Sequence, residues 1–88
     1  PYIAEYAKLR ADGFCQLCEE KAPFYTKNNK PYLEAHHLKW LSKGGIDTID
    51  NVVALCPNCH RKMHELNNKD DIKKLKMVLD EYDKIIDY

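Results

Sequence analysis

The stretch "ALCPNCHRKMH", residues 54–64, sets four metal-ligand side chains within nine positions: Cys56, Cys59, His60 and His64. Whether they serve one ion or two decides what kind of protein this is. On a helix, consecutive side chains diverge by about 100°, so Cys59 and His60 do not readily share one tetrahedral ion. His60 and His64, four apart, lie on one helix face about a turn from each other. Pro57 suits the first turn of such a helix, because its missing N–H would be unpaired there in any case. The helix is expected to run to about Leu66 and to stop at Asn67-Asn68.

Working outward, the cysteines find their match upstream. "CQLC" at 15–18 repeats the C-x-x-C of "CPNC" at 56–59, and two residues between ligands is the spacing of a metal knuckle. With no hydrophobic signal segment or apolar run near a membrane span, the cysteines read as a zinc site in a cytoplasmic protein rather than as disulfides. Cys15, Cys18, Cys56 and Cys59 then form one closed four-thiolate zinc site. Such an ion has no open coordination position and is structural. The 37 residues between Cys18 and Cys56 exceed the roughly 15–20 of a common ribbon, so a whole hairpin stands between the knuckles. A two-Cys, two-His finger, which needs about a dozen residues between its pairs, does not fit.

The histidines of the second site are all accounted for by two pairs. His36-His37 ends a predicted strand, "YLEAHHL", and His60 and His64 sit on the helix after a second one, "NVVALC". In a regular strand His36 and His37 point to opposite faces, which suggests one ligand and one residue with another task. Between the strands "KWLSKGGIDTID" is a turn-rich connection. Upstream, "EEKAPFYTKNNKPY" reads as loop or loop with a short strand. A short helix over residues 2–12, stopped by Asp12-Gly13, leads into the first knuckle. A last helix from Asp70 or Asp71 carries Ile72, Leu75, Val78, Leu79, Tyr82, Ile85 and Ile86 on one apolar face. The core is the ordinary destination of that face; a homodimer contact is the other.

The 88 residues allow one domain, 1–88, with a modest core that an ion would staple. Fourteen basic residues balance fourteen acidic ones, yet the distribution is uneven. Lys21, Lys27, Lys30, Lys39 and Lys43 face only Glu34 over residues 21–43, with Arg61 and Lys62 on the helix. Acid collects at the end, as Asp80, Glu81, Asp83 and Asp87 against Lys84. One end can meet phosphate. The chain starts at Pro1 without methionine, and is expected as an excised domain whose full-length protein carries a separate recognition domain.

The run "LEAHHLKWLSKGGIDTIDNVVALCPNCHRKMH", with the knuckle at 15–18, resembles the HNH endonuclease family, the ββα-metal nuclease finger in its zinc-knuckled form, over a core of about 15–66. The resemblance implies an α+β, treble-clef-like finger with flanking N- and C-terminal helices. It implies His36 and His60 as ligands of a catalytic divalent metal (Mg²⁺, Mn²⁺, Ni²⁺, Co²⁺ or Zn²⁺), with His64 a third. It further implies His37 as general base, Asn51 as the residue that steadies the loop and the base, and the cysteines as the structural zinc set. DNA is the implied partner, and the implied setting is a free-standing nuclease or the cleavage module of a restriction or mobile-element enzyme. The chemistry agrees: a histidine outside the metal's coordination can take a proton from water near neutral pH. An imidazole-bound cation keeps positions for a phosphate oxygen. Asn51 can fix a loop without adding charge. Lys39, Lys43, Arg61 and Lys62 are candidates for backbone phosphates. Trp40 is expected to pack on the finger. The competing reading is a non-catalytic zinc module that binds nucleic acid or protein, which explains the cysteines but gives the histidines no task.

Overall fold

The structure, a computed structural model, describes residues 2–86, with side chains through Tyr82. The side chains of Asp83, Lys84, Ile85 and Ile86, and all of Asp87, belong to the expected acidic end and apolar face but lie outside the described residues. In chain order come α1 (Tyr2–Ala11), β1 (Glu34–His37), β2 (Val52–Leu55), α2 (Pro57–Glu65) and α3 (Lys69–Ile86). Single 3₁₀ turns over Leu41–Lys43 and Ile49–Asn51 lie in the connection between the strands.

β1 and β2 pair antiparallel, with Glu34 opposite Leu55 and His36 opposite Val53. Their partners Val53 and Leu55 are buried with Leu17, Leu38, Met63, Leu75 and Leu79 in the main core, so Glu34 and His36 share the face turned toward α2. Ala54 points the other way, into a smaller cluster with Ala11 and Leu33. β2 is thus buried on both faces, although the sheet has only two strands. α1 contributes little apolar area: Leu9 and Tyr6 stay exposed, while the small Ala7 and Ala11 go under and let the helix approach β2.

Polar groups cover the free edge of β2. Gln16 exchanges backbone and side-chain bonds with Ala54: Gln16 N donates to Ala54 O (3.0 Å) and Ala54 N donates to Gln16 Oε1 (2.8 Å). The Arg10 guanidinium donates to Ile49 O (3.0 Å) and Val52 O (2.8 Å) and lies 4.2 Å from the Tyr82 ring centroid. Gln16 Nε2 in turn donates to the Tyr82 hydroxyl at 2.7 Å. The apolar face of α3 does go to the core, through Leu75 and Leu79, and Lys74 ties α3 to the first knuckle at Leu17 O and Glu19. α3 begins at Lys69, a residue or two before the expected start, with Asn68 accepting from Asp71 N as its cap. Among the described residues no helix is long and apolar enough to cross a membrane.

Candidate active site

The two knuckles converge. In each, the first sulfur accepts a bond from the backbone N–H three residues on: Cys15 from Cys18 (3.5 Å), and Cys56 from Cys59 (3.4 Å). Cys56 is also the N-cap of α2. The four Sγ atoms lie within 4.8 Å of one another, with Cys18 and Cys56 4.0 Å apart. Sulfurs around a tetrahedral zinc at about 2.3 Å stand roughly 3.8 Å apart, so the set fits that ion. The acid–base properties point the same way. Burial raises the Cys15 thiol, but bonds from the backbone at Cys56, Cys18 and Leu17 outweigh it and bring the pKa down to about 7. Burial, then the neighbouring sulfurs of Cys56 and Cys15, push the Cys59 thiol far up. Four sulfurs this close resist ionising together unless a cation lies among them.

The histidine cluster is separate. The ring nitrogens of His36, His60 and His64 lie within 4.8 Å of one another, and the Nε2 atoms of His60 and His64 are 3.2 Å apart. Nitrogens bound to one tetrahedral cation at about 2.0–2.1 Å stand roughly 3.3 Å apart. His36 is 2% exposed, and its Nε2 is buried with no hydrogen-bond partner. Burial, then the charges of His60, His64 and His37, lower its pKa to about 4, so it is a neutral donor waiting for an acceptor. The residues therefore fit a metal.

Glu34 completes the cluster. His60 Nδ1 donates to Glu34 Oε1 at 2.8 Å, leaving His60 Nε2 for the cluster, and the Tyr32 hydroxyl donates to Glu34 Oε2 at 2.7 Å. These bonds, His60's the larger, hold the Glu34 carboxyl below the ordinary carboxylate range. A carboxylate behind a ligating imidazole sets its tautomer and orientation. Sequence reading passed over Glu34, noting it only as the sole acid of its segment. The signal was there: it precedes His36 by two and so shares its strand face.

His37 is not one of the three clustered imidazoles, yet it lines the same cavity as they do. Its Nε2 donates to Asp47 Oδ1 at 2.8 Å, a partner that the sequence did not suggest. The hydrogen bonds of the Asn51 side chain do not go to His37. That side chain instead accepts from Lys39 N (2.8 Å) and donates to Lys39 O (2.9 Å) and Ile46 O (2.8 Å). It thereby clamps both limbs of the loop between the strands, whose Leu38 N also donates to Asn51 O. Gly45 lets the limbs approach: a Cβ there would stand 1.9 Å from Lys39 O. Trp40 packs on the finger, its ring 5.3 Å from that of His64.

The four basic candidates are not equivalent. Lys39 and Lys43 line a cavity with Trp40 and Asn51, and Arg61 lines another with Glu34, His60 and His64. Lys62 is instead paired with Asp71 at 3.2 Å.

A ββα finger pinned by four thiolates, with three imidazoles gathered between its first strand and its helix, is the architecture of a zinc-knuckled nuclease finger. Residues 15–66 match the HNH endonuclease family, and the chain belongs to it. Over 78 residues it is 44% identical to the type IV methyl-directed restriction enzyme EcoKMcrA of Escherichia coli K12, covering 89% of this chain and 28% of that protein. It is 46% identical over 60 residues to Anaredoxin of Nostoc sp. PCC 7120, covering 68% of each. Among solved structures it resembles the type IV phosphorothioation-dependent restriction endonuclease ScoMcrA. The TM-score there is 0.74 at 29% identity, over 90% of this chain and 16% of that one. The chain thus spans under a third of either restriction enzyme.

Proposed function

We propose that this chain is a metal-dependent endonuclease module that hydrolyses DNA phosphodiester bonds. One observation carries the reading: two separate clusters could each hold a metal, one of sulfur and one of imidazole, with His37 beside the second and bonded instead to Asp47. In this reading the cysteines hold zinc for architecture, and His36, His60 and His64 hold the catalytic cation. That cation supplies Lewis acidity toward a phosphate oxygen and the leaving oxygen.

The chain's own residues do the rest. With Nε2–H committed to Asp47, His37 offers the lone pair of Nδ1 and takes the proton of the attacking water there. Asn51 keeps the loop that carries Asp47 closed against β1, and so acts on the base through the loop rather than by a hydrogen bond to it. Lys39, Lys43 and Arg61 receive backbone phosphates; Lys62, held by Asp71, is the weakest of the four candidates. The restriction activities named for the two longer relatives support DNA as substrate. Their extra length supports a target-choosing domain beyond residues 1–88 in proteins of this kind.

The test is plasmid cleavage across a panel of Mg²⁺, Mn²⁺, Co²⁺, Ni²⁺ and Zn²⁺. Removing a general base lowers the rate by about 10²–10⁴, so His37→Ala is expected to lose that factor while both metal sites still fill. Cleavage at the parental rate would remove His37 from its role. No cleavage by the parent with any metal would favour a non-catalytic module.

A further inference from the structure

Three lysines of the basic segment, Lys21, Lys27 and Lys30, have no part in the site just described. They lie in "KAPFYTKNNKPYL", residues 21–33, a stretch without any aspartate or glutamate. The segment is not a loose loop. Tyr32 N donates to Phe24 O (2.9 Å), Thr26 N to Lys30 O (2.8 Å) and Asn29 N to Thr26 O (2.8 Å), while Thr26 Oγ1 accepts from Lys30 N (3.2 Å). Tyr25 and Pro31 form a bridge, and Asn29 takes the left-handed turn conformation at φ 61°. The result is a small hairpin with Lys27 and Lys30 at its tip, both exposed and, among the described residues, without an ion pair.

Two aromatic rings stand beside those charges. Phe24 is 53% and Tyr25 63% exposed. Phe24 stacks on Tyr32 with centroids 4.7 Å apart, and Tyr32 bonds Glu34, which bonds His60. The hairpin is therefore linked to the histidine cluster through two hydrogen bonds. Exposed cations beside exposed rings suit a sugar–phosphate backbone whose sugars offer apolar surface.

We infer that this hairpin is a second DNA-contacting element. Lys27 and Lys30 take phosphates of the strand flanking the cut, and Tyr25 and Phe24 lie against its sugars. The inference rests on the nuclease reading for its partner and extends it to a surface outside the finger. Lysine contacts to phosphate carry no sequence information, so the hairpin seats the cleavage module without choosing the target.

The experiment is fluorescence anisotropy of a labelled duplex against a sodium chloride series, on the zinc-containing chain carrying His37→Ala so that the duplex stays whole. Each phosphate contact contributes about 0.9 to the slope of log affinity against log salt. Adding K27Q/K30Q is expected to reduce that slope by roughly 1.8, with thermal unfolding unchanged, while K69Q/K73Q, an equal charge loss on α3, leaves it in place. Tyr25→Ala is expected to lower affinity severalfold at constant slope, because an uncharged contact to the sugars is lost and no phosphate contact is. Equal slopes for the two lysine pairs, or no duplex binding by the parent at any salt, would overturn the inference. Binding with the expected slopes, together with no plasmid cleavage by the chain that retains His37 in any of the five metals, would instead overturn the nuclease reading alone.

Discussion

The Nε2 atoms of His60 and His64 face each other at 3.2 Å, over the buried and unpartnered Nε2 of His36. Two neutral imidazoles have only one N–H to share across that gap, and a cation shared by all three satisfies every lone pair. The arrangement predicts two metals per chain that differ in hold. Elemental analysis of the parent soaked in Mn²⁺ or Zn²⁺ is expected to give two ions, and of His60→Ala or His64→Ala one. Chelation strong enough to strip the thiolate site is expected to unfold the chain, because binding energy at such a site is folding energy. Retention of both ions by His60→Ala would refute the cluster.

Glu34 offers a gentler perturbation. Glu34→Gln keeps the shape and an acceptor for His60 Nδ1–H but removes the negative charge behind the imidazole. Affinity of the histidine cluster is expected to fall by about 10–100-fold, read by titration with Co²⁺, while the zinc bound by the cysteines stays. A fall no larger than that of a surface Glu5→Gln control would show the contact to be idle.

Gly45 is a backbone test of the loop. A methyl group there meets Lys39 O at 1.9 Å, so the limbs must part and Asn51 loses at least one of its three bonds. Gly45→Ala is expected to cost about 2 kcal/mol or more and to lower cleavage while leaving zinc content unchanged. Asn51→Ala is expected to do the same without the steric clash. Urea unfolding and plasmid cleavage on both variants check this.

Acid should act through His36. Burial, then the charges of neighbouring histidines, lower its folded pKa to about 4, below an unfolded value of about 6.5. The unfolded chain therefore takes up the proton first, and stability present above pH 6.5 is lost as pH falls toward 4. For the chain with its histidine cluster unloaded the loss is up to about 3 kcal/mol, measurable as a urea midpoint falling across that window. His36→Gln, which does not titrate, should flatten the slope.

Much of this was legible without coordinates. The i, i+4 spacing of His60 and His64, the alternation of His36 and His37, and the repeated knuckle are local patterns. Helix and strand geometry repeat every few residues, so the chain alone set which side chains share a face. The separation of sulfur from imidazole followed from the same geometry. What only the folded chain decided were the partners: Glu34 for His60, Asp47 for His37, Lys39 and Ile46 for Asn51, and Arg10 for the carbonyls of Ile49 and Val52. The last of these joins residues about forty positions apart. Such pairings depend on strand register and on how the loop closes over Gly45, and these are settled by the packing of the whole core rather than by any short stretch.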